Sequence, residues 1–136
     1  MDPTIWGEPG WKFLHNITFA YPLNPTPEDK NWYKIFFVSA GRVLPCQVCR
    51  ENYNGHLLQY PLNEEALSSR NNMINWLLNV HNAVSLSLNE GYITREEMIS
   101  RYLLGEKPSF WKRVFPTVLV VLCFVFILML FLNTKR

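Results

Sequence analysis

At 136 residues the chain has room for one modest domain, and its 5 Trp, 6 Tyr and 9 Phe (15 % aromatic) exclude disorder as the starting assumption. Up to Arg113 the basic and acidic residues balance at 11 each, and Lys135 and Arg136 add the surplus behind an apolar tail. A neutral domain has no electrostatic footprint for phosphate backbones, so no nucleic acid is expected as a partner.

The elements follow in chain order. Trp11, Leu14, His15, Thr18 and Phe19 repeat at the spacing of one helical face, and the Tyr21-Pro22-Leu23-Asn24-Pro25 stretch ends that helix. Thr26 is placed to cap a second helix, with Pro27 in its first turn and Glu28 and Asp29 at the positive end of its dipole. That helix is expected to bury Trp32, Ile35, Phe36, Ser39 and Val43. Pro45 introduces a third, from about Cys46 to Tyr60. Ser68 or Ser69 caps a fourth, which carries Met73, Trp76, Leu77, Val80, Val84 and Leu88 and stops at Asn89-Glu90-Gly91. Thr94-Arg95-Glu96-Glu97 spells a capping box for a short fifth helix closed by Gly105. No segment alternates with period two. The expected fold is all-α, a four-helix bundle with a short fifth helix.

From Val118 to Leu132 every residue is apolar, and the uncharged stretch extends back to Val114. That approaches the roughly 20 residues a helix needs to cross a bilayer. Lys112 and Arg113 flank one end and Lys135 and Arg136 the other, where their amines can reach headgroups. A C-terminal transmembrane helix over about 114–132 is therefore expected, anchoring the chain by its tail with the domain on the cytosolic side. The opening MDPTIWGEPGW has neither the basic region nor the apolar run of a signal peptide. Residues 1–110 form the expected folded domain and 111–136 the membrane anchor.

Two of the three cysteines stand as Pro45-Cys46-Gln47-Val48-Cys49. A C-x-x-C is half a zinc site, a redox pair, or two unrelated buried thiols. Zinc needs four ligands, and the set Cys46, Cys49, His56 and His81 has the spacing of no common finger. A cysteine at a helix N-terminus, by contrast, has its thiolate stabilised by free backbone N–H groups and the helix dipole. Cys46 is expected there, with Cys49 one turn later on the same face. Cys123 lies in the apolar tail and reads as a small apolar side chain, with palmitoylation or intermembrane pairing as the sharper options. Dithiols that only exchange electrons usually sit in a fold containing strands; a helical redox protein needs another electron sink, and a flavin is the natural one.

Four motifs in one order carry a resemblance: W-G-x-x-x-W-x-x-L-H from Trp6 to His15, Tyr21-Pro22, P-C-x-x-C with Tyr53 following, and S-R-x-x-x-x-W-L-x-x-x-H-N-x-V from Ser69 to Val84. Over most of residues 6–92 the chain resembles the Erv/ALR family of FAD-dependent sulfhydryl oxidases, particularly the minimal versions of large cytoplasmic DNA viruses. The resemblance implies oxidation of protein dithiols to disulfides, with electrons passing through the C-x-x-C to FAD and then to molecular oxygen as hydrogen peroxide. It makes Cys46 the sulfur that meets the incoming thiol and Cys49 the one next to the flavin. It implies cofactor contacts from Gly7, Trp11, His15 and Tyr21, from Tyr53, and from Trp76, His81, Asn82, Val84, Ser85 and Leu88. A homodimer is implied as well, and disulfide formation in viral proteins during assembly, at a virion membrane or the host endoplasmic reticulum. Without the resemblance, Trp11 and Trp76 read as packing residues and the two histidines as hydrogen-bonded core groups.

The chain departs from the family pattern in places. Glu8 stands where many members have arginine, Ser85 where a second asparagine is usual, and Glu90 where a lysine is common. Lys112 and Arg113 are the basic residues placed to compensate. With no second cysteine pair, the chain must take electrons directly from a thiol-bearing protein, such as a small thioredoxin-like or C-x-x-C carrier. Asn16-Ile17-Thr18 is formally a glycosylation sequon inside the first helix, which a cytosolic domain never has to reconcile with a glycan. Two other classes compete with the oxidase: a tail-anchored helical adaptor with a structural or zinc-binding C-x-x-C, and a flavin-free dithiol carrier.

Overall fold

The computed structural model describes residues 1–105; the expected span at 114–132, its basic flanks and Cys123 lie outside the described residues. Helix α1 (Pro3–Phe19) starts earlier than its apolar face suggests. Asp2 caps it by accepting the Thr4 N–H at 2.9 Å, and Pro3 fits the first position, where its missing donor costs nothing. Helix α2 (Pro27–Val43) begins in the expected way. Asp29 N–H donates to Thr26 Oγ1 at 3.1 Å while Thr26 N–H donates back to Asp29 Oδ2 at 2.8 Å. Helix α3 (Gln47–Gln59) follows Pro45, and helix α4 (Arg70–Ser87) is capped by Ser69. A complete capping box at Thr94 opens α5 (Arg95–Met98), which continues into one π-helical turn, Ile99–Leu103. The chain then leaves through Gly105 at φ +68°, a left-handed conformation that favours glycine. No strand occurs among the described residues, and none of their helices is long and apolar enough to cross a membrane.

Helix α4 is the centre of the packing, touching α1 on one side and α3 on another, while α3 also packs on α2. Its Met73, Trp76, Leu77 and Val80 join Tyr21, Phe37, Tyr53, Leu62 and Leu67 in the main core. Polar atoms taken into that core are satisfied by backbone. Tyr21 donates to Leu67 O at 2.7 Å, and Trp76 Nε1 donates to Tyr60 O at 2.9 Å. A second cluster of Ile74, Leu78, Ile93, Met98 and Tyr102 seals the other side of α4 against α5 and the π turn.

The buried face of α2 differs from the expected one. Trp32, Ile35 and Val43 are 60 %, 46 % and 76 % exposed, and Ser39 is exposed too; Phe37 and Gly41 are the buried residues. The true stripe is Tyr33, Phe37, Ala40, Gly41 and Leu44, the same period turned by about one residue. Its cause is the close approach of α3: a Cβ at Gly41 would stand 2.5 Å from Asn54 Oδ1 and 2.6 Å from Tyr53 Cδ1. The two helices are also tied there, since Tyr53 donates to Phe37 O at 3.1 Å and Asn54 Nδ2 to Gly41 O at 3.3 Å. Only glycine leaves room for those bonds, so a weakly apolar face wins over a strongly apolar one. Trp32 and Ile35 stay outside, beside Phe36, which meets the exposed Phe13 of α1 edge-on at 6.3 Å.

Candidate functional site

Pro45 breaks the chain between α2 and α3 so that Cys46 becomes the N-cap of α3. Its sulfur accepts the Cys49 N–H at 3.3 Å. The neighbouring Cys49 thiol as donor, and after it that backbone bond, hold the Cys46 thiol below its ordinary pKa. Cys49 moves the other way, to about 11, because burial and then the adjacent Cys46 sulfur disfavour its thiolate. In the reduced pair Cys46 ionises first and the remaining proton stays on Cys49. Both thiols are free.

The two cysteines form part of the wall of a cavity of about 670 Å³. Helix α1 contributes Gly7 and Trp11 to the same wall, α3 contributes Tyr53, and α4 contributes His81, Val84 and Ser85, with Leu88 at its end. A Cβ at Gly7 would meet nothing within 4 Å, so the cavity is open at that point. Trp11 lies flat on His81, ring centroids 4.0 Å apart and planes within 10°. Behind His81 stands His15, wholly buried, its Nε2 2.9 Å from His81 Nδ1 and its other face stacked on Tyr102.

Burial drives both imidazoles to the neutral form, His15 to a pKa of about 3 and His81 to about 4, with Arg101 adding to the effect on His81. The network assigns the tautomers. His15 Nδ1 is buried without a partner among the described residues. A bare acceptor there is tolerated better than an orphaned N–H, so the proton of His15 lies on Nε2 and is donated to His81 Nδ1. His81 therefore carries its own proton at Nε2, an uncommitted donor on a residue of the cavity wall.

Four residues expected at the cofactor, His15, Tyr21, Trp76 and Asn82, do not line this cavity. His15 supports His81 from behind. Tyr21 and Trp76 are core residues whose polar atoms bond the backbone. Asn82 brackets the Ile93 peptide, donating to its C=O at 3.0 Å and accepting its N–H at 2.9 Å. This clamp holds the link that returns α5 against α4.

Sequence reasoning left other members of the wall unassigned, among them Trp6, Gly10 and Arg101. Arg101 sits on the π turn, where no helical period announces it, and it is the cation among the residues lining the cavity; Lys112 and Arg113 lie outside the described residues. Of the three departures from the family pattern, Ser85 and Glu90 line the cavity, as does Glu8, which accepts a hydrogen bond from Tyr102 Oη at 3.2 Å. The zinc reading is not favoured: among the described residues no three His, Cys, Asp or Glu side chains are grouped to hold a metal.

A sequence profile described as the Erv1 / Alr family matches residues 8–102. A protein of Acanthamoeba polyphaga mimivirus named "Probable FAD-linked sulfhydryl oxidase" is 46 % identical over 99 residues, covering 73 % of this chain and 69 % of the relative. The mitochondrial FAD-linked sulfhydryl oxidase erv1 of Schizosaccharomyces pombe is 30 % identical over 84 residues, covering 62 % of this chain and 46 % of that one. Among solved structures, the FAD-binding domain of Erv1 from Saccharomyces cerevisiae superposes with a TM-score of 0.69 at 24 % identity, covering 79 % of this chain and 99 % of that domain. That likeness establishes the shared helical fold.

Proposed function

The chain belongs to the Erv1 / Alr family, and on that premise we propose that it is a FAD-linked sulfhydryl oxidase, converting protein dithiols to disulfides and delivering the electrons to molecular oxygen as hydrogen peroxide. One observation carries the reading: a C-x-x-C with split thiol acidities is set into the wall of a cavity floored by a Trp11–His81 stack. The cavity has the size of a cofactor site and a wall rich in apolar and aromatic groups. These features fit a large heteroaromatic cofactor. Gly7, Trp11, His81, Val84, Ser85 and Leu88 would hold it, with Arg101 the cation available to its phosphates.

Bound FAD supplies what the side chains lack, an acceptor for the two electrons released as Cys46 and Cys49 close to a disulfide and a route for them to oxygen. The protein's own sulfurs handle the exchange. A substrate thiolate attacks Cys46 of the disulfide, the Cys46–Cys49 bond breaks, and Cys49 leaves with the electron pair. The second substrate thiol then displaces Cys46. The substrate has lost two electrons and two protons, and the pair has gained both. The low pKa of Cys46 makes it a good leaving group in the second displacement and the reactive thiolate of the reduced pair. With only these two cysteines in the described residues, the electron donor is a separate thiol protein, such as a thioredoxin-like or C-x-x-C carrier.

The proposal extends to place and assembly. The uncharged run 114–132 would hold the domain at a membrane from the cytosolic side, and relatives in mimivirus and an invertebrate iridescent virus favour disulfide formation in viral proteins during assembly. Exposed Phe13, Trp32 and Ile35 offer apolar area on which a second copy could rest, in keeping with a homodimer.

The decisive test of the activity is a visible absorption spectrum of the chain purified without added cofactor, taken before and after anaerobic dithiol. A yellow protein whose flavin band bleaches and returns in air is expected. A colourless preparation with stoichiometric zinc would instead favour the adaptor. For the anchor, the whole chain should float with liposomes while a version ending at Arg113 stays in the soluble fraction; co-flotation of the shortened version would remove the tail from the account.

A further inference from the structure

Val43 ends α2 and Val48 lies in the first turn of α3, and both are exposed, by 76 % and 62 %. The stretch they bound, Val43 to Cys49, carries no charge. Arg42 and Arg50 bracket it, the second held on Leu44 O at 2.5 Å. The backbone is extended at Leu44 and at Cys46. Those two residues belong to the cavity wall, while Pro45 between them is exposed. Met1, also exposed, rests there too, its nitrogen 3.2 Å from Pro45 O. Apolar side chains scattered singly over a surface are ordinary, but these gather around one half-exposed sulfur.

The chemistry of exchange says what must come to that place. The attacking, attacked and leaving sulfurs have to lie close to one line. Cys46 caps α3, and Cys49, the leaving sulfur, stands one turn further in, about 4.5 Å along the helix axis. The attacking sulfur therefore arrives from beyond the N-terminal end of α3. The other side is closed to it once a cofactor fills the cavity that both cysteines line. A thiol protein must then lay the residues next to its cysteine on the exposed groups at this end. Of these, Val43, Pro45 and Val48 are apolar and Gln47 is neutral.

We infer that Val43, Pro45 and Val48 form the docking surface for the thiol protein and select a cysteine flanked by an apolar side chain. This rests on the proposed function, since it needs exchange at Cys46. The bonds made and broken stay the same. The partner's thiolate bonds to Cys46 Sγ, the Cys46–Cys49 bond breaks with its electron pair on Cys49, and the partner's second thiolate displaces Cys46 to close the partner's disulfide. What the surface adds is affinity for the flanking residue. A small dithiol has no such residue and gains nothing from it.

The test gives the FAD-loaded full chain dithiothreitol and two C-x-x-C peptides that differ only beside the first cysteine, with leucine in one and serine in the other. For the wild type, kcat/KM should be about 5- to 20-fold higher with the leucine peptide. Val43 is no part of the cavity wall, so Val43→Ser should leave oxidation of dithiothreitol unchanged and cut the preference for leucine about threefold. Adding Val48→Ser should bring that preference close to one. A preference that survives both substitutions would overturn the inference. So would a Val43→Ser protein that loses activity towards dithiothreitol and both peptides by the same factor, since the valine would then serve the fold. The wild-type comparison needs no variant to fold: equal kcat/KM for the two peptides refutes the docking surface outright. A wild type that does not oxidise dithiothreitol would sink the proposed function itself, whereas one that oxidises it and treats the peptides alike sinks only this step.

Discussion

Replacing Cys49 with serine is expected to abolish reduction of the flavin by a dithiol, by about a thousandfold or more, while FAD remains bound. Serine is close in size and keeps the backbone N–H that caps on Cys46 Sγ, so the start of α3 should survive. What disappears is the second sulfur, without which Cys46 cannot close a disulfide and release two electrons. The test is anaerobic mixing with excess dithiol while following the visible flavin band; fast bleaching in Cys49→Ser would remove Cys49 from its role. Cys46→Ser should behave differently. It leaves Cys49 on the cavity wall but removes the sulfur that ionises first, so turnover with a protein dithiol should stop. Undiminished oxidation of protein dithiols by that variant would break the proposed relay. The paired result is informative because the two thiols differ in environment and not in chemistry: one caps a helix, the other is half-buried one turn inside it.

Much of this arrangement is legible in the sequence because its signals are local. The capping boxes at Thr26 and Thr94, the cap at Ser69, Pro45 ahead of Cys46 and the closing Gly105 each act within a few residues, and each is where the spacing places it. What escapes is set by contacts far apart in the chain. On α2 two overlapping stripes satisfy the helical period, and the more apolar one points outward. The choice is made by Tyr53 and Asn54 against Gly41, a contact that no pattern within α2 reveals. The site follows the same division. Gly7, Trp11, Cys49 and His81 meet at one cavity, as their motifs suggest, whereas Tyr21, Trp76 and Asn82 come from the same motifs and serve the frame. Family motifs mark residues that matter without saying whether they touch the ligand or hold what does. Arg101 reaches the wall by a π turn, a feature that amphipathic periodicity does not encode.

The buried histidine pair makes a second large effect, a loss of stability in mild acid. In the unfolded chain each imidazole titrates near 6.5; in the folded protein burial lowers His81 to about 4 and His15 to about 3. Both groups are neutral in the fold, so their contribution is complete above the unfolded value and is lost as pH falls through it towards the folded values. Between about pH 6 and pH 4 the unfolded chain binds up to two more protons than the folded one through this pair, which sets a slope on the order of 2 to 3 kcal/mol per pH unit. The cumulative loss reaches on the order of 5 kcal/mol near pH 4, comparable to the whole stability of a small domain. Carboxylates held low, such as Asp29 in its capping box, act only at lower pH, so the window separates the two causes. Urea unfolding of the chain at several pH values from 7 to 4.5 should show the midpoint falling steeply from about pH 6, and a flat profile over that range would show that the pair ionises without unfolding the protein. The same balance has a functional side. A neutral His81 keeps its proton on Nε2 as a donor and leaves its ring flat against Trp11; an imidazolium in that place would need a counter-charge, and Arg101 supplies the wrong sign. The site therefore keeps a histidine of fixed tautomer at working pH by burying its partner completely, and acid sensitivity is the consequence of holding that tautomer without a carboxylate.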